Sequence, residues 1–332
     1  MPAPDRRQFI AAAAGSLVAV PHLLAAPTKN SPAETAVKGL YDTLTPEQRK
    51  VICFAWDHVD KDRGLLRTHV SNNWQITKPT VTQSPFYTKK QQDIIRDIYN
   101  GLLDPEWRSQ FDKQMKDDSG GKPWGSTQAI AIFGEPGSEQ FEFVMTGRHQ
   151  TLRADGNSQA HAAFGGPIFY GHAPHDEEDA KHEGNVFWCQ AEAANKVYAM
   201  LDGKQQKRAL QPKTPKESAV GFRGKNIAEA GGLPVADMSR DQKAELQKVL
   251  TLLLAPFRLE DRDEAAACLK TQGGLDACRL SYFTDADIGD DKTWDNWRLE
   301  GPSFVWHYRG SPHVHVWVNI ADSAEQKLNA KG

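Results

Sequence analysis

The segment richest in chemistry is Pro312-His313-Val314-His315-Val316-Trp317-Val318-Asn319-Ile320. It alternates like a β-strand, in which successive side chains point to opposite faces. Val314, Val316, Val318 and Ile320 form one apolar face, expected in the core. His313, His315, Trp317 and Asn319 share the other. Two histidines at i and i+2 on a strand point the same way, close enough to ligate one metal. Neutral imidazole suits zinc, copper, iron and nickel. A half-exposed strand with a polar face has the same pattern, so a third ligand must separate the two readings.

His149, His172 and His307 are the candidates for it. His149 opens an expected strand directly after Gly147-Arg148, and His172 closes the strand 167–171. His307 lies on the strand before the His-x-His strand. If Tyr308 pairs with His313 across the turn 309–312, Phe304, Trp306 and Tyr308 share the His face and His307 points away. A one-residue change in that loop reverses the faces. His161, His175 and His182 fall in loop or turn segments and read as solvated. Glu135 sits in the turn Gly134-Glu135-Pro136-Gly137, which explains the Gly and Pro but does not require Glu. Glu142 lies in a strand, either as a ligand or on a solvent face. The sequence has no Gly-x-Ser-x-Gly elbow, Walker loop, His-Glu-x-x-His or Cys-x-x-Cys, so the histidines carry the chemistry. Cys268 and Cys278 flank Gly273-Gly274 and could close a small loop as a disulfide in an oxidising compartment. Cys53 and Cys189 read as buried thiols.

The elements that position these residues are legible in outline. Thr45-Pro46-Glu47-Gln48, Thr88-Lys89-Lys90-Gln91 and Ser239-Arg240-Asp241-Gln242 are capping boxes that open helices. Asp104-Pro105-Glu106 starts a helix to about Lys116, and a longer one runs from Asn185 to Leu201. Strands are expected over 128–133, 140–146, 149–154 and 167–171, and again over 280–284, 297–300, 303–308 and 313–320. Two separated β stretches with helices between them predict one α+β domain over 45–332. Its antiparallel sheet is built from residues 127–172 and 280–320, packed with helices from the N-terminal and middle segments. Residues 27–44 hold Pro27 and Pro32 and read as a flexible lead-in.

The chain begins with Arg6-Arg7, an Ala-rich apolar run from Phe9 to Val20, and small residues at Ala25-Ala26. This looks like a twin-arginine export signal over residues 1–26 and predicts a periplasmic or otherwise exported protein. The run is about 12 residues long, short of the roughly 20 that span a bilayer. At 39% hydrophobic and 25% charged, the composition excludes wholesale disorder and a multi-span membrane protein. A formal net charge of -3 recruits neither nucleic acid nor an anionic membrane. Membrane contact is expected only through the export machinery or an uncleaved signal.

Several short motifs together resemble the bacterial domain-of-unknown-function family 3500. They are Asn73-Trp74, Ala131–Gly137, Gly147-Arg148-His149-Gln150, Phe169-Tyr170-Gly171, Gln205 with Ala209, Gly301-Pro302-Ser303-Phe304 and His313–Trp317, over residues 45–320. The family shows a Gly-His-His element where Gly147–His149 stand and an Asn-His-x-His-x-Val-Trp element at 311–317. Arg148 replaces the first of those histidines, Pro312 stands where Asn precedes the His, and Val318-Asn319 replace Arg-Asp. The resemblance carries no settled activity. It implies that His149, His313 and His315 meet in space.

The leading expectation is an exported metalloprotein binding copper, zinc or iron through His149, His313 and His315. The fourth position would go to water, Glu135 or His172. The alternative is a metal-free periplasmic protein whose Trp317, Trp306, Tyr308 and Arg148 line a pocket for a small organic ligand. A hydrolase using a His base ranks below both, because no nucleophile is evident.

Overall fold

The computed structural model describes residues 26–83, 85–172, 186–288, 293–326 and 328. The expected export signal lies outside these residues except for Ala26, as do His175 and His182. No helix among the described residues is long and apolar enough to cross a membrane.

The helices are α1 (Pro32–Thr43), α2 (Pro46–Ile52), α3 (Lys89–Leu102), α4 (Arg108–Asp118), α5 (Trp188–Met200), α6 (Gly203–Ala209), α7 (Arg240–Leu254) and α8 (Leu259–Thr271). All three expected capping boxes form, at Thr45, Thr88 and Ser239, each side chain accepting the backbone N–H three residues on. Residues 27–44 are not a flexible lead-in. Pro32 stands in the first turn of α1, where its missing N–H costs nothing, and Ala33, Val37 and Leu40 are buried.

The strands are β1 (Cys53–Phe54), β2 (Val59–Asp60), β3 (Gly64–Leu65), β4 (Ala129–Gly134), β5 (Phe141–Gly147), β6 (Gln150–Ala154), β7 (Ile168–His172), β8 (Leu210–Gln211), β9 (Leu233–Pro234), β10 (Arg279–Phe283), β11 (Asn296–Gly301), β12 (Phe304–Arg309) and β13 (Val314–Ile320). All but β2 and β3 join one sheet in the order β1-β4-β5-β6-β7-β13-β12-β11-β10-β8, with β9 on β10. It is antiparallel except where the short β1 and β8 attach. The two expected β stretches are therefore two meanders, joined where β7 pairs with β13. The fold is α+β.

The faces of this sheet differ. Ile130, Ile132, Phe143, Tyr170, Val314, Val316, Trp306 and Tyr308 face the helices in the main core. Two extended straps cover the other face. The first, over residues 55–82, packs Leu66 and Ile76 on Ala129, Ala131, Phe133 and Val144. The second, over residues 212–223, packs Val220 against Val305 and Trp317 beside Phe169 and Val70.

The β12–β13 register differs from the expected one. Tyr308 pairs with Val316, His307 with Trp317, and Arg309 with His315. The offset is an odd number of residues, which exchanges the faces. The cause is the connecting loop, whose Gly310 and Ser311 N–H groups donate to the Asn296 side chain on β11 instead of closing a tight turn.

The disulfide is absent. Cys268 and Cys278 are buried free thiols, with sulfurs turned to different neighbours, the His161 and Gly274 carbonyls respectively. Burial pushes both thiols up to about 12. Cys53 and Cys189 are free and half-buried.

Candidate metal centre

The seam between β7 and β13 brings three histidines together. His315 sits mid-row on β13, with Gly171 of β7 on one side and Arg309 of β12 on the other. His313 comes from the loop just before β13. His149 comes from the two-residue turn Arg148-His149 that joins β5 to β6. Its backbone takes φ +54°, a left-handed conformation that favours Gly or Asn. The His149 N–H donates to the Asn72 carbonyl of the first strap at 2.9 Å, which fixes the turn.

Gly171 lets β7 approach the Val314 carbonyl of β13 closely, with the His149 ring in ordinary contact above it. A Cβ on Gly171 would lie 2.4 Å from the Val314 carbonyl oxygen and 3.4 Å from His149 Cδ2. The ring therefore rests over bare backbone beside His315.

The three rings converge through their Nε2 atoms. His149 Nε2 and His313 Nε2 each lie 3.0 Å from His315 Nε2. One ligand atom from each residue fits within 4.8 Å of the others. His149 Nδ1 is 2.8 Å from Asp118 Oδ2, and His315 Nδ1 is 2.7 Å from Glu217 Oε2. A carboxylate accepts, so each Nδ1 carries the proton and each Nε2 presents a lone pair. Two lone pairs 3.0 Å apart repel unless a cation or a proton lies between them. Metal–nitrogen bonds of about 2.0–2.1 Å in a tetrahedral set space the nitrogens about 3.3 Å apart, so the two pairs at His315 need part by only a few tenths of an ångström. The carboxylate–imidazole pairs are those that orient metal-bound histidines. This triad could hold a metal ion.

The electrostatics favour neutral ligands. Burial pushes His315 down to about 3, against the pull of Glu217. Burial works against a charged Glu217 too. The His315 hydrogen bond and the Arg309 charge outweigh it and hold the carboxyl below its usual range. Asp118 ends α4, where the helix dipole disfavours a carboxylate, and its side chain is 2% exposed. Its Oδ2 also accepts from the Gln114 side chain one turn back on α4, so one oxygen ties the end of the helix to the His149 ring. Glu217 belongs to the second strap and also meets Asn72 of the first at 3.3 Å and Arg309 at 3.3 Å. The two straps therefore touch at the candidate centre.

The other expected residues lie elsewhere. His172 is two residues from Tyr170 on β7 and shares its core-facing side, across the sheet from His315. It is buried, both ring nitrogens lack partners, and burial pushes it down to about 4. Glu135 is exposed in the β4–β5 turn, at the far end of β5 from His149, and the seven residues of β5 alone separate them by roughly 20 Å. It is no ligand. His307 is fully buried on the His face, one strand over, outside the triad. Glu142 is buried between Arg67 and Arg153 as an ion-pair partner. His161 is largely exposed and pairs with Asp322.

Of the pocket residues, Trp317 is buried beside the triad with its ring against Phe169. Arg148 is exposed and lines an open cleft of about 470 Å³ with Asn73, Trp74, Lys122 and Asp118. Trp306 and Tyr308 lie in the core on the opposite face, so the four residues form no common pocket. Asp118, Glu217, Arg309 and Asn72 were not singled out by sequence. No motif marks them, and only the general need of a ligating histidine for a carboxylate points to such residues.

No curated protein and no solved structure matches the chain. A family model described as a protein of unknown function, DUF3500, matches residues 27–320, so it takes in α1 as well as both meanders. The chain belongs to that family.

Proposed function

We propose that this chain is an exported metal-binding protein in which His149, His313 and His315 hold one divalent copper, zinc or iron ion. The observation that supports this is the convergence of three Nε2 atoms with two of the rings fixed from behind by Asp118 and Glu217. Three neutral nitrogens leave further coordination positions open, the arrangement of sites that take an exogenous ligand. His313 is the half-exposed member, so ligand access is from its side. When bound, the metal supplies Lewis acidity or redox chemistry. The residues hold it and orient the rings, and burial keeps His315 neutral. Among the described residues the His149 and His315 rings meet carboxylates and imidazoles and no hydroxyl or thiol, which counts against a hydrolase with a side-chain nucleophile. Export rests on Arg6-Arg7 and the apolar run after them.

Metal analysis of the untagged protein, folded in the cytoplasm, tests the reading. Near one equivalent is expected, with loss in His313→Ala and His315→Ala. No metal in the parent protein, with stability unchanged in both variants, would sink it. Replacing Arg6-Arg7 by Lys-Lys and fractionating the cells tests export, since the variant should stay in the cytoplasm.

A further inference from the structure

We propose that the cleft between the first strap and the end of α4 is a second binding site, for a sugar acid, a small polyhydroxylated carboxylate. Its volume of about 470 Å³ suits one small molecule. The cleft lies on the Nδ1 side of the His149 ring and shares only Asp118 with the candidate metal centre, so it stands without the metal reading. Its walls are tied together. Asn73 forms a β-bridge with Arg148, and the Gln75 amide donates to the Thr127 carbonyl at 3.2 Å. The Ser119 hydroxyl meets the Lys116 and Lys122 carbonyls at 3.0 and 3.1 Å. Gly120 and Gly121, at φ +67° and +82°, reverse the chain after α4 and bring Lys122 to the cleft.

Three kinds of group line the cleft, and together they describe the ligand. Arg148 and Lys122 are exposed cations whose side chains have no ion-pair or hydrogen-bond partner among the described residues. Asp118 is the one carboxylate of the lining. Its side chain is 2% exposed, with Oδ2 turned to His149 and Gln114. The side open to solvent is therefore cationic, and the Arg148 fork can grip a carboxylate with two parallel hydrogen bonds. Trp74 is the one aromatic. Its Nε1 donates to Thr151 Oγ1 at 2.9 Å and the His69 ring meets it edge-on at 4.7 Å, which fixes the indole in place. An aromatic face carries partial negative charge and attracts the polarised C–H groups of a sugar ring. Asn73, Gln75 and Thr127 add neutral polar side chains, and the Asn73 amide and Gln75 Oε1 have no partner among the described residues. An apolar ligand would strand these groups, and a bare inorganic anion would leave Trp74 and the amides unused. A ring bearing hydroxyls and one carboxylate uses all three kinds.

The test is calorimetric titration of the untagged protein with galacturonate and glucuronate, and with galactose and acetate as the two halves of such a ligand. The parent should bind at least one of the uronates saturably at one equivalent, and galactose and acetate about tenfold or more weaker. Arg148→Gln, a change at an exposed residue, should weaken the uronate by about tenfold or more, and Lys122→Gln by less. His313→Ala, which removes a candidate metal ligand, should bind the uronate as the parent does. No uronate binding at millimolar concentration, acetate as tight as the uronate, or unchanged affinity in Arg148→Gln overturns the proposal and leaves the metal reading standing. Loss of uronate binding in His313→Ala also overturns it, because the carboxylate would then belong to the metal centre.

Discussion

On β12 and β13, alternate residues meet two different environments. Trp306, Tyr308, Val316 and Val318 enter the main apolar core beneath the helices. Their chain neighbours His307, Arg309, His315 and Asn319 face the straps, and all but the half-buried Arg309 are buried to a similar degree. Buried polar groups need partners, and helices spend their carbonyls on themselves. The straps have carbonyls to offer. Asn319 donates to Val220, Arg298 to Ala219, and Arg153 to Arg67 and His69. Irregular backbone thus lets this face bury cations and imidazoles without a solvent boundary. The two straps also carry the residues that orient the candidate ligands, Asn72 and Glu217.

If the helical face supplies stability and the strap face supplies chemistry, mutations should divide accordingly. The largest loss of stability is expected for Trp306→Ala, about 3–5 kcal/mol in urea unfolding, because a fully buried indole leaves a cavity. Metal stoichiometry of the folded fraction should not change. If the variant loses its metal while folded, the division fails.

Glu217→Gln and Asp118→Asn should do the reverse. Each removes a carboxylate behind a ligand, for an expected 10–100-fold loss of metal affinity by competitive chelation. Equal affinity in both variants would show that the rings need no support.

The helical face has its own titratable feature. Glu264 on α8 is pushed up to about 9 by burial, aided by Asp155 and Asp261. Unfolded, it releases its proton near the ordinary carboxyl range, so the folded state binds the extra proton in between. Its stability contribution is full below about pH 4.5 and disappears as pH rises through about 9. Unfolding free energy measured from pH 5 to 9 should fall with pH, and Glu264→Gln, the isostere of the neutral acid, should flatten that slope. An identical slope in the variant assigns the effect to other groups. The smallest effect is expected for Asn72→Ala, about 1 kcal/mol for its hydrogen bond to Glu217. A melting curve shifted by several times that would make the strap contact more than a seam.

The sequence made one half of this division easier to read. Strict alternation from His313 to Ile320 identifies the core face of β13, and capping boxes mark the starts of α2, α3 and α7. The spacing of Ala33, Val37 and Leu40 carries α1 too, hidden by reading Pro32 as a loop residue when it occupies the first turn. Strap residues have no period, because their places are set by carbonyls and side chains of distant strands. For the same reason the β12–β13 register was not legible. It depends on Asn296, a residue outside the hairpin. His149 is one of three candidates on its place at the start of a strand, and the family resemblance singles it out. Its partner Asp118 lies in a charged stretch that reads as the end of a helix and a loop.

The β7–β13 seam has a further consequence for the order of events in the cell. His149 and His315 are 166 residues apart, and β13 is the last strand of the sheet. A ribosome-bound chain can complete the first meander while holding only one of the three rings. The ligand set comes into being when the final strand docks, a long-range closure that is slow by nature. Completion of the candidate ligand set is therefore a late step, and a chain truncated before residue 313 would lose two of the three histidines together with the strand that joins the two meanders.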